Sequence, residues 1–160
     1  MKSARHKLIV SQLCEALRRW GVSLIQCECC CCDIATLVYL ACAYHTVCIE
    51  VELFQRQALK NVRRNFKNHA VFNIVVAPEE AIRNAIARKL RRFLSEQQWD
   101  RTLVIAPDQI YAALRWIESH STELEFDSWV DVHDANSPAD SSIQFSVVTG
   151  TPDFAGGATN

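Results

Sequence analysis

A chain of 160 residues with 49% apolar content is long enough for one domain with a sizeable core. The net charge of −1 conceals a split: residues 1–118 hold all 17 Lys and Arg against 11 of the 18 acids, a surplus of 6 positive charges, whereas residues 119–160 hold the other 7 acids and no Lys or Arg. No stretch reaches about 18 continuous apolar residues, which excludes a membrane-spanning helix, and Leu8, Ile9 and Val10 are followed at once by Ser11, Gln12 and Glu15, unlike a secretory leader. A cytoplasmic protein with no membrane partner is expected, its eight cysteines being reduced thiols or metal ligands rather than disulfides.

In chain order, a helix is expected over Ser3 to Trp20, because Leu8, Leu13, Ala16, Leu17 and Trp20 recur at helical spacing and Gly21 stops them. A short strand follows over Val22 to Gln26, and Cys27 to Cys32 form a turn. Asp33 then opens an apolar strand that ends near Ala41. Ala43 to Thr46 is read as a hairpin tip, and Val47 to Leu53 as the returning strand. Strands so close in sequence pair antiparallel by default. Gln55 to Asn68 is the next helix, burying Ala58, Leu59, Val62 and Phe66. Val71 to Ala77 is a continuous apolar run, as in a central strand covered on both faces. Pro78, Glu79 and Glu80 start a helix that reaches Leu94, with Ala81, Ile82, Ala85, Ile86, Leu90 and Phe93 inward. Thr102 to Ala106 is a short buried strand, and Pro107-Asp108 opens a last helix through Glu118. The fold class is therefore α/β, a mixed β-sheet flanked by helices, with an α-β-β-β-α-β core and further β-α elements. Residues 1–118 form the domain, and residues 119–160 an acidic, partly disordered tail with a strand candidate at Ile143 to Val148.

Glu50 and Glu52, two apart on one strand, project to the same face. Two carboxylates side by side in apolar surroundings are costly unless something positive sits between them. A divalent cation answers this, and oxygen ligands suit Mg²⁺ or Mn²⁺. The helix that follows carries Arg56, Lys60, Arg63, Arg64 and Lys67 three to four apart, with no acid among them to pair with. That stripe points to a polyanion, although such stripes also serve as solvated helix faces.

The element order, the Asp33 strand and Glu50-Val51-Glu52 resemble the restriction-endonuclease-like, or PD-(D/E)XK, nuclease superfamily. SARHKLIVSQLCEALRRWG, DIATLVYL, CIEVELFQRQALKNVRRNF and FNIVVAP are similar to a prokaryotic branch with "VEVE" and "LKN-R" motifs, over residues 3–106. The resemblance implies a metal-dependent nuclease of mobile-element or defence type, hydrolysing phosphodiester bonds of DNA, with RNA as the other substrate. By position, Asp33 and Glu50 would be metal ligands, joined by the Val51 carbonyl. Glu52 stands where many members carry the lysine that positions the attacking water, so Lys60 or Arg56 would lend the missing positive charge. Arg56, Lys60, Arg63, Arg64 and Lys67 would hold the nucleic-acid backbone. Arg5 replaces an acid of the branch and Cys32 a proline, so a binding module that keeps the fold without cleavage stands as the alternative. Many relatives dimerise, and a homodimer is compatible with the sequence.

Cys27/Cys30 and Cys29/Cys32 have CxxC spacing, and Cys42-x-x-His45-x-x-Cys48 crosses the next hairpin, so structural Zn²⁺ is a lesser alternative beside redox-labile thiols. Cys14 and Cys48 read as buried apolar residues. His6, His45, His69, His120 and His133 share no motif, and Trp99, Trp116 and Trp129 read as packing residues.

Overall fold

The computed structural model of the protein describes residues 2–22, 24–28, 32–40 and 43–124. Helix α1 (Ala4–Arg19) starts where the Ser3 hydroxyl accepts the His6 N–H at 3.2 Å, and it buries His6, Ile9, Val10, Leu13, Cys14 and Leu17. It stops in a Schellman motif: Gly21 takes φ +93, its N–H meets the Arg18 carbonyl, and the Val22 N–H reaches the Leu17 carbonyl.

Strands β1 (Leu24–Cys27), β2 (Ile34–Leu40) and β3 (Ala43–Val51) form an antiparallel meander. Strands β4 (Phe72–Val76) and β5 (Thr102–Ile105) join in parallel, giving one five-stranded mixed sheet in the order β1-β2-β3-β4-β5. Parallel neighbours need long crossovers. Helix α2 (Ala58–Lys67) supplies the first, and α3 (Glu80–Phe93) with the one-turn α4 (Glu96–Trp99) supplies the second. A short 3₁₀ turn at Pro107–Gln109 leads into α5 (Ile110–Leu124).

The period-two alternation of the strands sorts the core into two halves. Ile34, Val38, Val47, Ile49, Phe72 and Ile74 pack against the apolar stripes of α1 and α5. Val75 and Ala77 pack on the other face with Ala58 and Val62 of α2 and Ile86 and Leu90 of α3. Strand β4 is buried at every position, Asn73 among its apolar residues included. No helix among the described residues is long and apolar enough to cross a membrane.

Several boundaries differ from the sequence expectation. Ala43 to Thr46 is not a hairpin tip but the first part of β3, paired with Leu37 to Leu40. Tyr39 and Tyr44 lie directly opposite each other there with ring centroids 4.8 Å apart, a cross-strand pair that favours ladder over turn. Helix α2 begins three residues later than expected, and Ala81 and Phe93 of α3 face solvent while Leu94 is buried in their place. Helix α5 continues to Leu124, because neither Gly nor Pro interrupts it and His120 stacks on Trp116 at a centroid distance of 4.1 Å. The strand candidate at Ile143 to Val148 and the rest of the chain from Glu125 lie outside the described residues.

Candidate active site

Where β3 ends, three carboxylates face one cleft. Asp33 immediately precedes β2, Glu50 lies on β3, and Glu52 follows it, with the Glu52 N–H continuing the ladder to the Val76 carbonyl at 2.9 Å. All three are buried. They line one cleft of about 340 Å³ with Lys2, His6 and Cys32 on one side and Gln57, Asn61 and Arg64 on the other.

Asp33 is fixed from three directions. Its Oδ2 accepts the Val51 backbone N–H at 2.8 Å and faces His6 Nε2 at 3.0 Å, and its Oδ1 pairs with the Lys2 ammonium. Burial opposes the charge on Lys2, but the hydrogen bond and charge of Asp33 outweigh it and hold the ammonium above its ordinary 10.5. Glu50 Oε1 accepts from Asn65 Nδ2 at 3.0 Å and from Arg64 at 3.3 Å. Glu52 Oε1 accepts from Asn61 Nδ2 at 2.8 Å.

Burial pushes the Glu50 carboxyl from its ordinary 4.5 up to about 7, the Asp33 and Glu52 charges adding to the rise and Asn65 and Arg64 opposing it. Glu52 also rises to about 7, again chiefly through burial and then Asp33, against Asn61, Arg64 and Lys89. Two carboxyls pushed toward neutral pH in one cleft mark it as a candidate site.

Against protein-family models, curated proteins and solved structures, the chain matches none.

The basic stripe does not act as a unit. Arg64 turns in to Glu50, and Arg63 instead donates to the Phe93 carbonyl at the end of α3 at 2.6 Å. Arg56, Lys60 and Lys67 are exposed. Lys60 does not line the cleft; the cations that do are Arg64 and Lys2. This follows from where α2 starts: Gln57, Asn61 and Arg64 recur at helical spacing and turn toward β3, which carries Lys60 past it. Val51 lines the cleft.

Lys2, His6 and Asn61, which line the cleft, and Asn65, which donates to Glu50, carried no assigned role in the sequence. Two of them carried a signal. His6 continues the buried stripe of α1, and Asn65 sits in the apolar series Ala58, Val62, Asn65 of α2, each a polar residue where an apolar one is expected. Arg5 pairs with Glu79 at 3.0 Å on the surface, away from the carboxylates.

Among the described residues, no three His, Cys, Asp or Glu side chains stand close enough together to hold a metal ion. Cys29 to Cys31 and Cys42 lie outside the described residues. The Cys42-x-x-His45-x-x-Cys48 pattern cannot use its His and second Cys together, since three positions along a strand put them on opposite faces. His45 meets the edge of the Phe72 ring, whereas Cys48 packs with Cys32, Ala35 and Ala70. Cys14 and Cys48 are buried as expected, and Cys14 Sγ lies 3.0 Å from Cys27 Sγ. Burial, the hydrogen bond and the charge of Cys27 push the Cys14 thiol up to about 12.

Proposed function

We propose that the protein is a metal-dependent nuclease that hydrolyses phosphodiester bonds of DNA, with Asp33, Glu50 and the Val51 carbonyl holding Mg²⁺ or Mn²⁺. The observation that carries this reading is that Asp33, Glu50 and Glu52 line one cleft beside a basic helix. A set of three protein side chains is not required, because Mg²⁺ keeps several waters and is commonly held by one or two carboxylates with substrate phosphates. Hard carboxylate oxygens suit it, and a nearby cation offsets the burial and repulsion that raise Glu50 and Glu52. When bound, such an ion supplies positive charge that lowers the pKa of water and balances charge growing on phosphoryl oxygens.

The chain's own residues do the rest in this reading. Glu52, with its carboxyl near 7 and one oxygen held by Asn61, accepts a proton from the attacking water. Arg64 and Lys2 bring positive charge to the cleft wall. The first turn of α2 carries no acid, and its N-cap Gln57 makes no side-chain cap, so its helix dipole favours a phosphate there. Arg56, Lys60 and Lys67 meet the backbone without reading sequence. RNA is the other polyanion this chemistry admits. A cytoplasmic setting suits Cys14, Cys27 and Cys48, which are free thiols.

One observation favours the second reading, a binding module without cleavage. Each cleft carboxylate already has an internal cationic or amide partner, so the cleft is satisfied without a metal. Cleavage of labelled single- and double-stranded DNA in Mg²⁺ or Mn²⁺ separates the two. The nuclease reading expects metal-dependent cutting that falls more than about 100-fold in Asp33→Ala and Glu50→Ala. Binding without cutting in either metal sinks it in favour of the module.

A further inference from the structure

Between the start of α1 and the loop that joins β3 to α2 lies a second, larger cavity of about 740 Å³. Phe54 lines it and is 74% exposed. Lys2 and Arg56 line the same cavity, and it shares Lys2, His6, Val51, Glu52 and Gln57 with the carboxylate cleft. The two cavities therefore adjoin across a shared wall; Asp33 and Glu50 line only the first, and Phe54 and Arg56 only the second. Neighbouring Leu53 packs into the core, so the loop is anchored while the Phe54 ring is left in solvent.

We infer that this cavity takes an unpaired nucleobase adjoining the phosphate in the cleft, with Phe54 as its stacking platform, so that the substrate is single-stranded or frayed nucleic acid. The inference rests on the nucleic-acid reading of the neighbouring cleft. A duplex hides its base faces within the stack, except at its two ends, and along its length offers an exposed ring only base edges, sugar and phosphate. A strand with free bases offers a flat π-surface next to each charge, and sequence-independent binding of such strands combines aromatic stacking with a positive groove. Phe54 supplies the first, and Arg56, exposed at the same cavity, supplies the second. The volume is within the range of pockets that enclose a small organic group.

Anisotropy of labelled oligo(dT), oligo(rU) and a blunt duplex of the same length, with the full chain in EDTA, measures binding without cleavage. Oligo(dT) is expected to bind more tightly than the duplex. Phe54→Ala should weaken the oligo(dT) complex between about 5-fold and about 100-fold and leave the duplex unchanged. Phe54→Trp should restore binding, and its added emission should be quenched by oligo(dT). Equal binding of oligo(rU) supports the same platform for either sugar. Identical affinities of wild type and Phe54→Ala, preference for duplex, or no binding of any nucleic acid overturns the inference. Exposure of the ring makes misfolding of these variants a minor concern, and far-UV circular dichroism checks it. Repeating the series in Mg²⁺ separates the two claims. Cutting that ignores Phe54, together with Phe54-independent binding, removes the platform and leaves the nuclease. Phe54-dependent binding without cutting leaves the platform and removes the nuclease.

Discussion

Glu50 and Glu52 are held by amide donors, yet burial still lifts both carboxyls to about 7. A folded-state value above the unfolded 4.5 means that the folded chain binds more protons between those pH values. The stabilising contribution is therefore fully present below about 4.5 and is lost as pH rises to about 7. Chemical denaturation at intervals from pH 4.5 to pH 8 is expected to show wild type losing ground to Glu50→Gln by as much as about 3 kcal/mol over that window, with no further change above it. A flat difference between the two would show that Glu50 titrates normally. How legible such residues were depended on their charge. Asp33, Glu50 and Glu52 stood out because acids in apolar strands need a reason. Asn61 and Asn65 hold those acids, but neutral amides leave no charge pattern in a sequence, and only the position of Asn65 on an apolar stripe hinted at burial. Lys60 drew attention by charge alone, and the helical phase turned it away from the cleft.

Gly21 shows how a single position can set an element's end. Its φ of +93 closes α1, and a Cβ there would meet nothing within 4 Å, so the penalty of substitution is purely backbone. Gly21→Ala should cost about 1 kcal/mol by thermal or urea melting; a neutral effect would mean that the helix ends differently. Element types and order followed from periodicity, since α1, β4, α3 and α5 each carry a strong apolar pattern. Boundaries were weaker. The segment Ala43 to Thr46 has no turn residue except by default, and its pairing depends on Tyr39, five positions before Tyr44 and adjacent only in space. On α2, Lys60 and Lys67 are exposed and available for phosphate contacts. On the proposed nucleic-acid reading, Lys60→Glu with Lys67→Glu should weaken DNA binding uniformly across sequences and reduce the salt slope by about one for each lost contact. An unchanged slope in anisotropy titrations would place the backbone elsewhere.

At the scale of the molecule, helices on both faces of a mixed sheet leave the start of α1, the start of β2, the end of β3 and the first turns of α2 converging on one region. That convergence is a product of topology: β2 runs antiparallel to β3, so its beginning lies beside the end of β3. Asp33 and Glu50 thus meet although 17 positions separate them. The central claim is that these carboxylates seat a divalent cation. Calorimetric titration of Mn²⁺ into the full chain at pH 7.5 tests it most directly, with wild type beside Asp33→Asn and Glu50→Gln. Saturable binding of one or two equivalents that is lost in both variants is the predicted result. No binding into the millimolar range, or equal binding by all three proteins, would contradict it.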